Sequence, residues 1–232
     1  MIIGNGLLAS AFDLQQVRNL GATVFASGVS NSNEGNPQAF LREDELLTRH
    51  LEASSGPFVY FSTCSIDDPD KGSGHYAQHK ASMEDKVRAR AETLILRLPQ
   101  VVGRTSNPNT LTNYIAQHLA DGSELTVWAG AIRCLVDVDH VAGVAMHLLS
   151  RHELLDATEQ VAPPETVTMP VLVAMMESVM QRKANIRVID RKGGMTPDAS
   201  LLCSVAPYID VDISPGYNLR LLQKYYGPSY AI

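Results

Sequence analysis

The chain has 232 residues, 45% of them hydrophobic and 19% charged, which predicts one compact domain with a small lobe attached. A formal net charge of −6 without any basic block argues against nucleic acid and anionic membrane as partners. Cys64, Cys134 and Cys203 are odd in number and lack metal-ligand spacing, so we expect no metal site, no disulfide framework and a reducing compartment. With no membrane-length apolar run and no basic leader segment, cytoplasmic localisation is the expectation.

The N-terminus combines a very short strand, Met1 to Ile3, with a G-x-G-x-x-A motif that opens a helical pattern through Leu20. Gly4 permits a tight turn and Gly6 lets the backbone approach a pyrophosphate, while the helix N-terminus faces the negative charge. The motif predicts a dinucleotide site. The residues expected there are Gly4, Asn5, Gly6, Leu7 and Leu8.

The second strand, Ala22 to Ala26, is followed by a polar stretch without the residue that the dinucleotide fingerprint requires. An Asp or Glu after this strand would bind the adenosine ribose, and a basic residue would accept a 2′-phosphate. No charged residue occurs between the end of this strand at Ala26 and Glu34. The choice of cofactor is therefore open at this point.

The stretch from Pro57 to Lys80 carries the strongest chemical signal. An apolar run, Phe58 to Phe61, predicts a buried strand that ends in the hydroxyls of Ser62, Thr63 and Ser65. After a polar loop, Tyr76 and Lys80 stand four apart on one helix face. The Lys charge, together with the charge of a bound cofactor, is expected to lower the Tyr pKa from ~10 towards ~7, which corresponds to about 4 kcal/mol. Tyr76 would then act as a proton donor or acceptor near neutral pH.

The remaining chain predicts further alternating strands and helices. The expected elements are a strand at Thr93–Leu98, a helix bearing Leu111, Tyr114, Ile115 and Leu119 that ends at Asp121–Gly122, a strand at Leu125–Trp128, and helices at about Val141–Leu149 and Met169–Gln181. A strand at Ile186–Ile189, a short helix after Pro197 and a helix ending at Tyr226 complete the chain.

These motifs resemble the short-chain dehydrogenase/reductase superfamily, in its extended branch of NAD-dependent epimerases and dehydratases that modify nucleotide sugars. The resemblance implies an α/β fold with a Rossmann-like parallel sheet flanked by helices and a small C-terminal α/β substrate lobe. It assigns residues 1–150 to the nucleotide-binding domain, with part of the lobe inserted around 104–130, and residues 151–232 to the lobe. Ala26, Ser27 and Gly28 resemble the family's fourth strand, so a strand-helix-strand portion of the usual half is expected to be missing.

Residue roles follow from the resemblance. It implies a catalytic set of Thr63, Tyr76 and Lys80, with Lys80 also holding the nicotinamide ribose. The cofactor is NAD or NADP, with NADP slightly favoured by the missing acidic residue. Its expected contacts are Gly4, Asn5, Gly6, Leu7, Leu8, Ala26, Ser27, Gly28, Tyr76, Lys80 and Pro99, and the expected substrate contacts are Ser65, Gln100 and Arg133. Arg97 is expected to stabilise the structure.

The resulting hypothesis is an NAD(P)-dependent reductase or epimerase of a nucleotide-linked sugar. By analogy with the family, a homodimer would form through the Tyr76 helix and the helix before the Phe58 strand. Dehydration is disfavoured, because Cys64 and Ser65 occupy the places of the acidic pair that dehydratases use. Two alternatives stay open, a non-catalytic NAD(P)-sensing or scaffold protein of the same fold and a cofactor-independent sugar isomerase or lyase. Cys64 is expected to be an inert small hydrophobe, and His75 and His79 to be solvated.

Overall fold

The computed structural model describes residues 1–153 and 155–227. In this part of the chain the strands are β1 (Ile2–Ile3), β2 (Thr23–Phe25), β3 (Phe58–Thr63), β4 (Thr93–Leu98), β5 (Gln100–Val102), β6 (Glu124–Asp137), β7 (Ala157–Gln160), β8 (Thr166–Thr168) and β9 (Asn185–Gly193). The α-helices are α1 (Leu7–Ser10), α2 (Leu14–Asn19), α3 (Pro37–Ala53), α4 (His75–Arg88), α5 (Leu111–Asp121), α6 (Val138–Arg151), α7 (Met169–Met180), α8 (Ser200–Val205) and α9 (Tyr217–Tyr226). None of these helices is long and apolar enough to cross a bilayer.

The main sheet is parallel throughout, with the strand order β1-β2-β3-β4-β7. Its central strand, β3, is buried at every position, as a strand covered by helices on both faces must be. The continuous apolar run at Phe58 to Phe61 and the strand at Thr93–Leu98 are therefore both confirmed. Parallel strands alternating with helices give the Rossmann-like arrangement that the sequence predicts.

Strand β1 lies at the edge of this sheet. In a complete dinucleotide-binding sheet two further strands lie beyond the first one. Here the chain leaves α2 at Asn19 and enters β2 at Thr23, and β2 pairs directly with β1. Within the described residues no strand pairs with the other side of β1. The predicted loss of a strand-helix-strand portion is confirmed.

The helix after the glycine motif differs from the prediction. A single helix through Leu20 was expected, but the structure has α1 ending at Ser10 and a separate α2 beginning at Leu14. The break has a physical cause, because the Asp13 carboxylate accepts a hydrogen bond from the Gln16 amide at 2.8 Å and caps a new helix. Phe12, in the break, packs against Phe61 in the main core.

The second sheet is built around the long strand β6. Strands β5 and β9 run parallel to β6, and β8 runs antiparallel to it. Helices α5, α7 and α9 cover this sheet and enclose its own apolar core. The expected division at residue 150 does not coincide with the division between the sheets, since β7 pairs with β4 and the apolar residues of α8 pack into the main core.

A buried ion-pair cluster fastens α4 to β4. The guanidinium of Arg97 donates to both carboxylate oxygens of Glu84, at 2.9 and 2.8 Å, and also to Asp67. Glu84 is fully buried, and Arg88 pairs with it from the next turn of α4. Burial by itself raises the pKa of Glu84, but these arginines outweigh burial and hold it below its usual range. Arg97 therefore has the structural role expected for it.

Replacing Arg97 with Met should destabilise the protein by about 3 kcal/mol, because the buried Glu84 carboxylate loses its bidentate partner. The matched control is Lys86→Met, which removes the more exposed pair with Asp44 and should cost less than about 1 kcal/mol. Urea unfolding of the two variants measures the difference. Equal losses for both would show that the buried cluster contributes no more than a surface pair.

Candidate active site

The carboxyl end of β3 and the first turn of α4 bring three predicted residues together. Thr63 is the last residue of β3, and its hydroxyl accepts a hydrogen bond from the Ser65 amide at 3.1 Å. Tyr76 lies in the first turn of α4 and faces the Thr63 hydroxyl. Ser65 and Tyr76 line a cavity of about 340 Å³, whose opposite wall is the loop from Ser32 to Gly35. This cavity is the candidate substrate site.

Lys80 is placed differently from the prediction. Its side chain is only 3% exposed, and the ammonium donates to Glu43 Oε1 at 2.9 Å, to the Tyr60 hydroxyl at 3.0 Å and to the Phe61 carbonyl at 3.1 Å. An ammonium has three protons to donate. All three are used inside the protein, so another acceptor would have to replace one of these partners.

Glu43, in the middle of α3, is the functional residue that sequence reasoning missed. Its side chain has no exposed surface, and its two oxygens accept hydrogen bonds from the Tyr60 hydroxyl at 2.7 Å and the Val29 amide at 2.6 Å, besides that from Lys80. A signal was present. The apolar stripe of α3 runs through Phe40, Leu47 and Leu51, and position 43 falls on the same face. A carboxylate within an apolar stripe indicates a buried partner of opposite charge.

The electrostatics of the site reverse the expected effect on Tyr76. Burial raises the pKa of Tyr76, the negative charge of Glu43 raises it further, and only the Thr63 hydroxyl lowers it. In the free protein the expected lowering of the Tyr76 pKa is absent, and the part that a bound cofactor would add stays a prediction. The main reason is burial of the phenol, to which the negative charge of Glu43 adds, while Glu43 itself pairs with Lys80.

Glu43 itself stays ionised. Burial alone would raise the pKa of this carboxyl, but the Lys80 charge and the hydrogen bonds from His79 and Val29 hold it well below its usual range. Glu43 and Lys80 therefore form a buried pair of opposite charges, and the pair adds no net charge to the site.

The other candidate groups have ordinary structural roles. His79 was expected to be solvated, but its ring is 9% exposed, stacks on Phe40 and lies 3.1 Å from Glu43 Oε2. Burial raises the pKa of the Cys64 thiol to about 12, which keeps it protonated and agrees with the inert role expected for it. Among the described residues no group of three or more His, Cys, Asp or Glu side chains could hold a metal ion.

The glycine motif forms the tight turn that a nicotinamide nucleotide needs, but only part of the expected surroundings. Gly4 has φ +124°, and a Cβ there would lie 2.4 Å from the Ala26 carbonyl oxygen, so the turn requires glycine. A Cβ on Gly6 would meet nothing within 4 Å, which leaves its backbone open to a ligand. At Gly28, by contrast, a Cβ would meet Lys80 Nζ at 2.6 Å. The residues present fit the pyrophosphate and nicotinamide half of the cofactor, and the absent strands leave the adenosine half without its usual surroundings.

Several other predicted residues lie outside the cavity lining. Leu8 packs against the main core and Leu7 against Gly103, while Asn5 is exposed beside them. Gln100 pairs with Leu135 in the second sheet, and Pro99 precedes it between β4 and β5. Arg133, on β6, donates to the Ile132 carbonyl at 2.7 Å. The cofactor contacts of Leu7, Leu8 and Pro99, and the substrate contact of Gln100, stay predictions.

No family model matches this chain, and no curated protein does. Solved structures do. A UDP-glucuronic acid 4-epimerase from Bacillus cereus, in complex with UDP-glucuronic acid and NAD, has a TM-score of 0.69 at 14% identity over 93% of this chain and 78% of that one. MoeE5 in complex with UDP-glucose and NAD has a TM-score of 0.68 at 16% identity, covering 96% and 95%.

RMD from Pseudomonas aeruginosa, complexed with NADPH, has a TM-score of 0.65 at 17% identity, covering 88% of this chain and 80% of that one. At these identities the likeness shows the fold. The Rossmann-like α/β architecture that the family resemblance implies is therefore confirmed.

Replacing Glu43 with Gln should destabilise the protein by about 3–5 kcal/mol at pH 7, because Lys80 is left as an uncompensated buried charge. The depressed pKa of Glu43 gives stability that is present above the unfolded-state pKa, ~4.3, and is lost as pH falls towards the folded-state value. At pH 4 the difference between wild type and variant should thus be smaller by roughly 0.5–1 kcal/mol.

Urea unfolding at pH 7 and pH 4 measures both quantities. The matched control is Asp44→Asn, one position along α3, which removes the more exposed pair with Lys86 and should cost less than about 1 kcal/mol. A Glu43→Gln variant as stable as this control would show that the buried pair does not support the fold.

Proposed function

We propose that this protein is an NAD(P)-dependent reductase or epimerase acting on a nucleotide-linked sugar. The observation that carries the proposal is the pairing of Thr63 and Tyr76 at the carboxyl end of β3, with Tyr76 in the lining of the cavity. Ligands of open α/β sheets bind at this end of the strands. Structures of the same fold hold NAD or NADPH, and two of them hold UDP-glucose or UDP-glucuronic acid.

The chain supplies proton transfer and orientation. A bound nicotinamide nucleotide supplies or accepts the hydride. Tyr76 is the group placed to donate a proton to a carbonyl oxygen of the sugar. Because its raised pKa makes it a weaker acid than an ordinary phenol, rapid transfer requires that pKa to fall when cofactor and substrate bind. Thr63 orients that oxygen beside the phenol, and Ser65 lines the same wall of the cavity. Reduction uses these groups once, and epimerisation uses them for oxidation followed by reduction.

In this proposal the main role of Lys80 is structural, because it fixes the position of α4 relative to α3 and β3. Its bonds to Glu43, Tyr60 and Phe61 connect α4 to α3 and β3 and place the pair against the backbone of Gly28. Contact between Lys80 and a nicotinamide ribose, the role implied by the family resemblance, requires a ribose hydroxyl to replace one of the three acceptors.

The cofactor preference follows from the edge position of β1. The slight preference for NADP rested on the missing acidic residue after the second strand. Since the strand that would bear that residue is itself absent from the described sheet, neither the 2′-hydroxyl nor the 2′-phosphate of the adenosine has its usual protein partner. We therefore propose that NADH and NADPH bind about equally.

Binding of NADH and NADPH, followed by nicotinamide fluorescence, tests the cofactor proposal. The dissociation constants of the two should agree within about threefold, since a lost or gained phosphate contact would change them by tenfold or more. Lys80→Ala should weaken both equally. A preference of a hundredfold for either nucleotide would contradict the account of the adenosine end.

Replacing Tyr76 with Phe should reduce turnover by about 10²–10⁴-fold while NADH binding changes less than about twofold, because the phenol oxygen transfers the proton and the ring still packs. Transient reduction of NAD by UDP-glucose or UDP-glucuronic acid provides the activity measurement. Tyr114→Phe is the matched control, since Tyr114 is exposed on α5. Full activity in Tyr76→Phe would remove Tyr76 from the mechanism.

A second candidate function is a non-catalytic or cofactor-independent protein of the same fold. It is favoured by the saturation of the three Lys80 donors and by the division of the expected pyrophosphate-facing helix into α1 and α2. A folded sample that binds neither NADH nor NADPH would favour this candidate. Activity that persists after complete removal of nicotinamide nucleotide would identify a cofactor-independent isomerase or lyase.

The cellular setting and the assembly also stay proposals. We propose a cytoplasmic protein that binds a small-molecule nucleotide sugar.

We also propose that a homodimer would form through α3 and α4, which pack side by side. Leu41 on α3 is about half exposed and is the apolar residue that such an interface would cover.

A further inference from the structure

The loop between β3 and α4 carries a cation that neither the sequence analysis nor the proposed mechanism used. Lys71 is half-buried and lines the same cavity as Ser65 and Tyr76. Its backbone is held in a tight turn, with its amide donating to the Asp68 carbonyl at 3.1 Å and the Gly74 amide donating to its own carbonyl at 2.9 Å. The position of Lys71 in the cavity wall is therefore fixed by the loop.

A second cation approaches this loop from the second sheet. Arg133 is half-buried on β6, and its Nη1 lies beside Gly194, where a Cβ would meet it at 3.1 Å. The neighbouring Gly193 lies beside the Asp70 carboxylate of the same loop. The end of β9 thus joins the Lys71 loop to Arg133, and the positive charge of Arg133 acts on Lys71.

Neither cation forms an ion pair with a carboxylate among the described residues. Lys80 and Arg97 differ in this respect, since each forms an ion pair with a buried carboxylate. Asp68 is near enough to both Lys71 and Arg133 to act on their charges but makes no ion pair with either. Burial lowers the pKa of Lys71, and Arg133 lowers it further, as expected for two partly desolvated charges of the same sign.

Among the described residues, the two carboxylates in the cavity lining form no ion pair with these cations. Glu34 Oε1 accepts the amides of Gly35 and Asn36, at 3.0 and 2.9 Å, so that this carboxylate is turned into its own loop. Asp70 lies towards Gly193. The chain has a net charge of −6, so two half-buried cations close together beside a cavity form a local region of positive charge. An anion bound in the cavity would reduce the repulsion between them.

We propose that Lys71 binds an oxyanion of the substrate in the cavity that Tyr76 also lines, with Arg133 adding positive charge from behind the loop. This inference rests on the proposed function and narrows its substrate class. Because Lys71 and Tyr76 line one cavity of about 340 Å³, the bound anion and the phenol lie in the same cavity. Two sources have this chemistry, a carboxylate on the sugar and the phosphate at its anomeric carbon.

Calorimetric binding of UDP-glucose, UDP-glucuronic acid and inorganic pyrophosphate, measured without any nicotinamide nucleotide, tests the proposal independently of hydride transfer. Lys71→Met should weaken binding by about tenfold or more, and Lys71→Arg should restore it to within about threefold. Lys183→Met, which removes a highly exposed cation outside the cavity, should leave binding unchanged. The thermal midpoint of each variant verifies folding.

The pattern of losses identifies the source of the anion. A loss for UDP-glucuronic acid alone assigns Lys71 to a sugar carboxylate, and a loss for both nucleotide sugars and pyrophosphate assigns it to the phosphate. Equal affinities of wild type and Lys71→Met for all three ligands would overturn the proposal, as would a wild type that binds none of them. Failure of NADH and NADPH to bind would contradict the proposed function. It would not affect the calorimetric test of Lys71, because that test contains no nicotinamide nucleotide.

Discussion

The site depends on one buried ion pair, that between Glu43 and Lys80. It connects the middle of α3 to α4, and through the Lys80 bonds to Tyr60 and Phe61 it fixes α4 against β3. Through the Val29 amide it also holds the start of the loop whose residues 32–35 form the far wall of the cavity. Both charges are inaccessible to water, so each is stable only because the other is present.

The pair also sets the chemistry of the cavity. Burial raises the pKa of Tyr76 and the negative charge of Glu43 raises it further, so the phenol stays protonated in the free protein. The positive charge near the cavity comes instead from Lys71, with Arg133 behind it. In our proposal the structural cations and the cation that binds substrate are different residues, and they differ in whether a carboxylate contacts them.

The sequence predicted features that depend on local patterns. The apolar run of β3, the hydroxyl at its end and the helical spacing of Tyr76 and Lys80 all have local signals, and so does the missing acidic residue that indicated lost strands. The partner of Lys80 could not be predicted in this way, because Glu43 is 37 residues away and is brought to it only when α3 packs on α4. The helix break at Asp13 was missed because helical periodicity continues across it, whereas the cap depends on one side chain.

The central claim is that burial and the negative charge of Glu43 hold Tyr76 as a neutral phenol in the free protein. The most direct measurement is an NMR pH titration of the protein labelled with ¹³C at tyrosine Cζ, using Tyr76→Phe to assign the Tyr76 signal. The account predicts that this signal does not titrate below the ordinary tyrosine pKa of ~10. A Tyr76 signal that titrates between about pH 6 and 8 would contradict it, since a free Lys80 charge would then be acting on the phenol.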